Sequence, residues 1–340
     1  MEAGHKVGVM IALLIVGALY ERWKATDPFN DDSRRRSLIS KFLISKGKGT
    51  VDEPVSDPDH PIVWIHAPHE VNARWWPTFG SRNTRCTNQP YMQLCMNSVL
   101  ARCGSTCNVC LIRDEDFEKL IPGWDIDLRR LGGSDQRTVR DLAFCSLLAA
   151  HGGMLVPPSF ACTRDLAELH REGLAASDMY AVDVPPIQGG GTSPEGPLGN
   201  DAPATAPSTR FMGARAGCSQ LAGLGIDLAR QFVSDRTAQP GFLATPGARI
   251  LEGVRNGSIT LVSGRLVGAL DADDKRIDAA TLCSFEYVDI SPDSYGLLIP
   301  ADELLRRVSL RWFPRLSPQQ VLQSNTFLGR FLATCSEARG

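Results

Sequence analysis

The reading of the chain turns on SDQRTVRDLAFCSLLAAHGG (134–153), which runs directly into MLVPPSF (154–160). The first part has helical apolar spacing, a Ser134 or Asp135 N-cap and a Gly152-Gly153 stop. The second part is an extended apolar run. A helix that turns on glycine into a buried strand is a joint of α/β architecture.

The same grammar recurs on both sides. Upstream, IVWIHAP (62–68) and NVCLI (108–112) read as buried strands. Between them PYMQLCMNSVLAR (90–102) reads as a helix with Pro90 at its first position, and DEDFEKLI (114–121) as a short helix. Downstream, DLAELHREG is a helix, MYAVDV (179–184) a strand, and LGIDLARQFV (224–233) a helix. ITLVSGRLVGAL (259–270) suggests two short strands or a hairpin, YGLLIP a strand, and 317–335 a helix capped by Ser317. Residues 185–209 break the pattern with Pro, Gly, Ala, Ser and Thr, and read as a flexible insertion. The expected fold is α/β and Rossmann-like, with a mostly parallel sheet between helices, over residues 62–340.

A net charge of −2 gives no reason to expect nucleic acid as a partner. The charge is uneven, however. Residues 1–50 hold nine Lys/Arg against five Asp/Glu, and the basic excess sits beside VGVMIALLIVGALY (7–20). That run, from Val7 through Leu13 and Leu14 to Tyr20, is fourteen residues without a charge. A spanning helix usually takes about 20. A cleaved signal peptide with a small-residue site at Val16–Ala18 and a buried helix are the competing readings; a single N-terminal transmembrane anchor over 1–24 fits best, because basic residues follow it. Those residues place the large domain on the cytoplasmic side. Residues 25–61 are expected to form a juxtamembrane segment and tether. Within them SRRRSLISKFLISK (33–46) carries an apolar side of Leu38, Ile39, Phe42 and Leu43, which suits a membrane surface or a solvated linker.

Ten cysteines include Cys103, Cys107 and Cys110 at zinc-like spacing. Against zinc, Cys95 falls on an apolar helical face and Cys110 inside an apolar strand, so reduced, buried thiols are expected and no metal is assigned.

The stretch 134–159 resembles glycosyltransferases of the GT-A type, the sugar-transferase families that carry a D-x-D motif. In them an Asp on the helix helps hold the nucleoside, and the D-x-D carboxylates grip a divalent metal that neutralises the nucleotide diphosphate. Aligned on Gly152-Gly153, Asp141 falls on the helix Asp, Phe144 where an Arg is expected, and Pro157 and Ser159 where the two metal-gripping Asp residues belong. Hard cations need oxygen ligands that carry charge, which Pro and Ser do not supply. The resemblance therefore implies a GT-A-like fold with a vestigial nucleotide-sugar pocket around His66, Asp141, Gly152, Gly153, Pro157 and Ser159, and no catalytic residue or cofactor. Asp183, on a later strand, is a candidate substitute carboxylate, and His69, Trp75 and Trp76 are further ligand candidates, against the plainer readings of a solvent-facing carboxylate, a polar loop histidine and loop packing.

A looser resemblance covers residues 1–335. NQPYMQLC, GGMLVPPSF, FMGA, DSYGLLIPADELL and RWFPRLSPQQVLQS, with the N-terminal anchor, look like a family of membrane-anchored virion proteins of nucleocytoplasmic large DNA viruses. It implies a structural or assembly role, as a minor capsid or internal-membrane component whose partners are the membrane, the viral capsid or other membrane proteins. The alternative is a glycosyltransferase that moves a sugar from a nucleotide-sugar donor, with Mn or Mg or without a metal. A third reading is a sugar-binding module that uses the vestigial pocket. An apolar or closed cleft beside Gly153 favours the first, and at least two carboxylates or cationic groups converging there favour the second.

Overall fold

The computed structural model describes residues 32–44, 57, 59–67, 89–131, 133–185, 205–233 and 246–337. Its centre is a six-stranded sheet in the order β2-β1-β3-β6-β5-β7. The strands are β1 (Ile62–His66), β2 (Asn108–Ile112), β3 (Gly153–Val156), β5 (Met179–Val184), β6 (Ala206–Ala214) and β7 (Thr260–Val262). β1 runs parallel to β2 and β3, and β5 runs parallel to β7. β6 lies antiparallel between β3 and β5. All but one of the strands therefore point the same way, as the strand–helix alternation requires.

The strands are apolar on both faces because both faces are covered. Ile62, Trp64, Cys110, Leu155, Ala181 and Met212 pack on one side, under helices Gly133–His151, Ser219–Val233 and Pro246–Arg255. Val63, Ile65, Val109, Met154, Tyr180 and Phe211 pack on the other, against helices Pro90–Cys103 and Leu166–Gly173. A period of two along each strand sends alternate residues to the two layers. Trp64 is fully buried and its indole N–H donates to the Gly152 carbonyl at 3.0 Å.

Past β3 the chain makes a tight turn, with Phe160 N–H bonded to the Pro157 carbonyl, and enters β4 (Phe160–Cys162). β4 pairs antiparallel with β8 (Gly296–Leu298) in a second, two-stranded sheet. Helices Ala301–Arg306, Pro318–Leu322 and Phe327–Glu337 pack beside it around Leu297, Leu304, Phe313, Val321 and Leu328.

Several expectations are corrected. Residues 264–267 form a 3-10 turn capped by the Ser263 side chain, so 259–270 holds one strand and no hairpin. The 317–335 segment is two helices; the first carries a Ser317–Gln320 capping box. Residues 206–209, assigned to the insertion, belong to β6, while 186–204 lie outside the described residues. Residues 32–40 are helical, but the apolar side of this segment faces the domain: Ile39 is buried, and Leu38, Phe42 and Leu43 pack on the same core as Trp64. Leu43 bridges Cys110 antiparallel, Ile44 N–H bonds the Val109 carbonyl and Leu111 N–H bonds the Phe42 carbonyl. The segment thus caps the exposed edge of β2, an edge that would otherwise invite pairing with other chains.

No helix among the described residues is long and apolar enough to cross a membrane; Val7, Leu13, Leu14 and Tyr20 lie outside them.

The cysteines divide across the sheet. Cys110 belongs to one core layer, and Cys103 and Cys107 to the other. The zinc-like spacing therefore does not converge on one point, and no group of three metal-ligating side chains occurs among the described residues. Burial pushes the Cys95, Cys110 and Cys145 thiols up, which keeps them protonated and unreactive.

Candidate functional site

In an open α/β sheet, ligands lie beyond the carboxyl ends of the strands. That edge here opens into a cleft of about 340 Å³. His66 ends β1, Leu155 to Ser159 lead out of β3, Val184 and Pro185 end β5, and Ser208 and Arg210 come from the start of β6, which is antiparallel. Gln89 and Met92 wall it at the start of the 90–103 helix, and the 301–306 helix closes the far side.

The cleft is cationic. Arg140, Arg210, Arg276, Arg306 and Arg307 line it against two carboxylates, Asp302 and Glu303, an excess of three positive charges. The arginines differ in how they are held. Arg140 makes a two-pronged contact with Asp114, at 2.8 and 2.5 Å. Arg276 bonds Glu303, which Arg307 also approaches at 3.6 Å. Arg210 has a looser partner: its Nε lies 3.9 Å from an Asp141 oxygen, and its side chain is 36% exposed. A guanidinium so placed keeps most of its donors for a ligand.

Asp114 joins two elements of the site. It accepts from Arg140 and lies 2.9 Å from His66 Nε2. Burial alone would raise its pKa, but the hydrogen bonds from Arg140 and His66 outweigh that and hold the carboxyl well below the usual range. Burial is also the main influence on His66 and lowers its pKa, while Asp114 pulls the other way. The His66–Asp114 contact is therefore a hydrogen bond from a neutral imidazole rather than an ion pair. A carboxylate only accepts, so Nε2 carries the proton and Nδ1 keeps its lone pair. Phe117 stacks on the ring at 5.5 Å and Phe144 meets it edge-on at 5.1 Å, which fixes its orientation.

Two buried donors on residues that line this cleft have no acceptor among the described residues. Gln89 is fully buried; its Oε1 accepts from the Tyr91 hydroxyl at 3.0 Å, and its Nε2 has no partner. Arg276 Nε is buried and unpartnered as well. Each buried, unsatisfied donor costs about 1–3 kcal/mol.

The structure gathers only part of the expected pocket. His66, Pro157 and Ser159 line the cleft. Asp141 does not; it lies one position behind Arg140 and accepts from Thr209 at 3.2 Å. Burial raises its pKa, against the pull of Arg210 and Thr209. Asp141 thus reaches the cleft only through Arg210. Gly152 and Gly153 sit at the opposite end of β3 and have a packing role. Their φ angles are +68° and +92°, and a Cβ on Gly153 would come within 2.3 Å of the Ile62 carbonyl oxygen. Asp183 accepts from Thr205 and does not line the cleft. His69, Trp75 and Trp76 lie outside the described residues.

Sequence reasoning missed Asp114, Gln89, Arg140, Arg210 and Arg276. Asp114 was within reach, because it follows a parallel strand by two residues, where α/β sites gather. The others needed the direction of β6 and the placement of the second sheet.

The fold and site define a mostly parallel α/β domain with a cationic cleft at the carboxyl edge of its sheet. No protein-family model, curated protein or solved structure matches the chain.

Proposed function

We propose that the chain is a glycosyltransferase-like protein whose cleft binds a phosphate-bearing ligand of the nucleotide-sugar class through arginine rather than through a metal. The observation that carries this reading is that five arginines line the same cleft as the turn from Pro157 to Ser159, the turn on which the resemblance puts an acidic grip in metal-dependent transferases. A diphosphate needs neutralising charge, and guanidinium groups supply it with directed hydrogen bonds. An open, cationic cleft favours the two ligand-binding readings over a closed scaffold. Without the metal grip, the reading is a binding protein first, with metal-independent sugar transfer as its active variant.

The test is thermal stability with pyrophosphate and UDP-glucose, in manganese and in EDTA. A ligand at a hundred times its dissociation constant stabilises by about 2.7 kcal/mol. We expect a rise of about 3 °C or more that survives EDTA and is lost in Arg210→Ala. A rise that requires manganese, or none with either compound, overturns the proposal.

Attachment to a membrane, and a role in the internal membrane or capsid of a large DNA virus, rest on the sequence resemblance and on residues 7–20. Carbonate extraction tests the anchor: the protein stays in the membrane pellet if 1–24 spans. Mass spectrometry of purified particles tests the assembly role.

A further inference from the structure

Gln89 and Arg276 both line the cleft, and each carries a buried donor with no partner among the described residues. One is a neutral amide N–H pair and the other belongs to a cation, so together they describe a ligand with two kinds of oxygen. The arginine takes an anionic oxygen. Gln89 shares the cleft lining with apolar Met92, Phe144, Leu155 and Ile299, and on apolar lining a neutral acceptor is favoured over a second charge. Gln89 is also held in place. It directly precedes Pro90, which starts the 90–103 helix, and its Oε1 is fixed by Tyr91, itself fully buried. The unpartnered Nε2 is therefore oriented by the fold before any ligand arrives.

We infer that Gln89 determines ligand specificity in the cleft, donating from Nε2 to a hydroxyl oxygen of a sugar whose phosphate is held by the arginines. This rests on the proposed phosphate-binding role of the cleft and adds to it the part of the ligand that is read. A site built to hydrogen-bond a hydroxyl discriminates strongly against ligands that lack one, because its own donor then stays unpaired.

The test is calorimetric binding of inorganic phosphate, glucose 1-phosphate and UMP to the full-length chain in detergent, for the parent, Gln89→Leu and Gln89→Glu. The carboxylate introduced by Gln89→Glu still accepts from Tyr91 and preserves the local packing, so a folding failure of the Leu variant does not end the test. The parent is expected to bind glucose 1-phosphate at least tenfold more tightly than phosphate. Both variants are expected to lose that preference. If the parent prefers glucose 1-phosphate and the variants keep the preference, Gln89 is not the reader and the proposal fails while the cationic cleft stands. If the parent shows no such preference, or if the loss falls on UMP alone, Nε2 does not read the hexose and the proposal fails in that part. If the parent binds none of the three, the phosphate-binding reading itself fails and takes this one with it.

Discussion

At its first residue β3 is sealed against its neighbours, and just past its last it opens on the arginine cleft. The sealed end holds Gly152 and Gly153, with the Ile62 carbonyl and the Ala216 amide so close that a methyl group has no room. The open end holds Pro157 and Ser159 on a tight turn beside His66. One short motif in the sequence spans both. The contrast shows that a glycine pair and the turn a few residues after it can mark the same joint for unrelated reasons, one for chain packing and one for lining a cleft.

The comparison breaks most simply at Gly153. Gly153→Ala puts a Cβ against backbone at a φ of +92° that L-residues rarely adopt. Strain and overpacking together are expected to cost about 3–5 kcal/mol in urea unfolding. Phosphate binding by the fraction that remains folded should be unchanged. A loss under about 1 kcal/mol, the average for any point mutation, would mean that the sealed end is not sealed.

The next effect is on acid stability. His151 directly precedes Gly152, and its Nε2 contacts the Leu120 carbonyl at 2.7 Å. Burial lowers its pKa from 6.5 to about 4. His170, in the opposite layer, is lowered to about 4 for the same reason. Both are neutral when folded, so between pH 6.5 and 4 the unfolded chain binds protons that the folded chain does not. Their stability contribution is complete above pH 6.5 and falls as the pH drops toward 4. By about pH 5 each histidine is expected to cost about 2 kcal/mol. Asp141, with its raised pKa, acts in the opposite sense, and the depressed Asp114 loses its contribution only below its ordinary value of 3.8. His151→Gln should flatten the curve of stability against pH between about 7 and 5. An unchanged slope would remove His151 from the account.

A smaller effect tests how the sealed end is covered. Arg35 donates to the His151 carbonyl at 2.5 Å from the helix that leads to the edge of β2. Arg35→Ala is expected to cost about 1 kcal/mol, a charged hydrogen bond discounted for partial exposure. No change at all would show that residues 32–44 do not dock as described.

What the sequence revealed follows the same division. Strands β1, β2, β3 and β5 were legible because apolar runs of this length between helical patterns admit few other readings. The reversed direction of β6 was not, since a strand that follows a compositionally irregular insertion carries no sign of its polarity. His66 was singled out as the end of a strand, and Pro157 and Ser159 came from the resemblance; the structure sets all three along one cleft. Gln89, Arg210 and Arg276 were not legible, because they arrive from a helix start, the antiparallel strand and the segment behind the second sheet. The apolar side of 33–46 was legible as amphipathic, but amphipathicity does not say whether a lipid surface or a sheet edge receives it.

The smallest expected effect sharpens the open end. Pro157→Asp with Ser159→Asp restores carboxylates at the two positions where the resemblance puts a metal grip. In a cleft with three excess positive charges the new carboxylates meet guanidinium groups before they meet a cation, and each ion pair formed weakens both the metal grip and the anion site. Manganese at ten times a weak dissociation constant would stabilise by about 1.4 kcal/mol at most. The double variant is therefore expected to gain a manganese-dependent rise in melting temperature of no more than about 2 °C, absent from the parent. Its stabilisation by pyrophosphate in EDTA should fall at the same time, since both effects come from charge placed on one turn. If neither property changes, residues 157 and 159 do not face the ligand, and the alignment of this turn with an acidic metal grip is wrong. If manganese stabilises the variant strongly while pyrophosphate binding is untouched, the arginines do not share the site with that turn, and the metal-free account of the cleft gives way to a metal site that has lost its ligands.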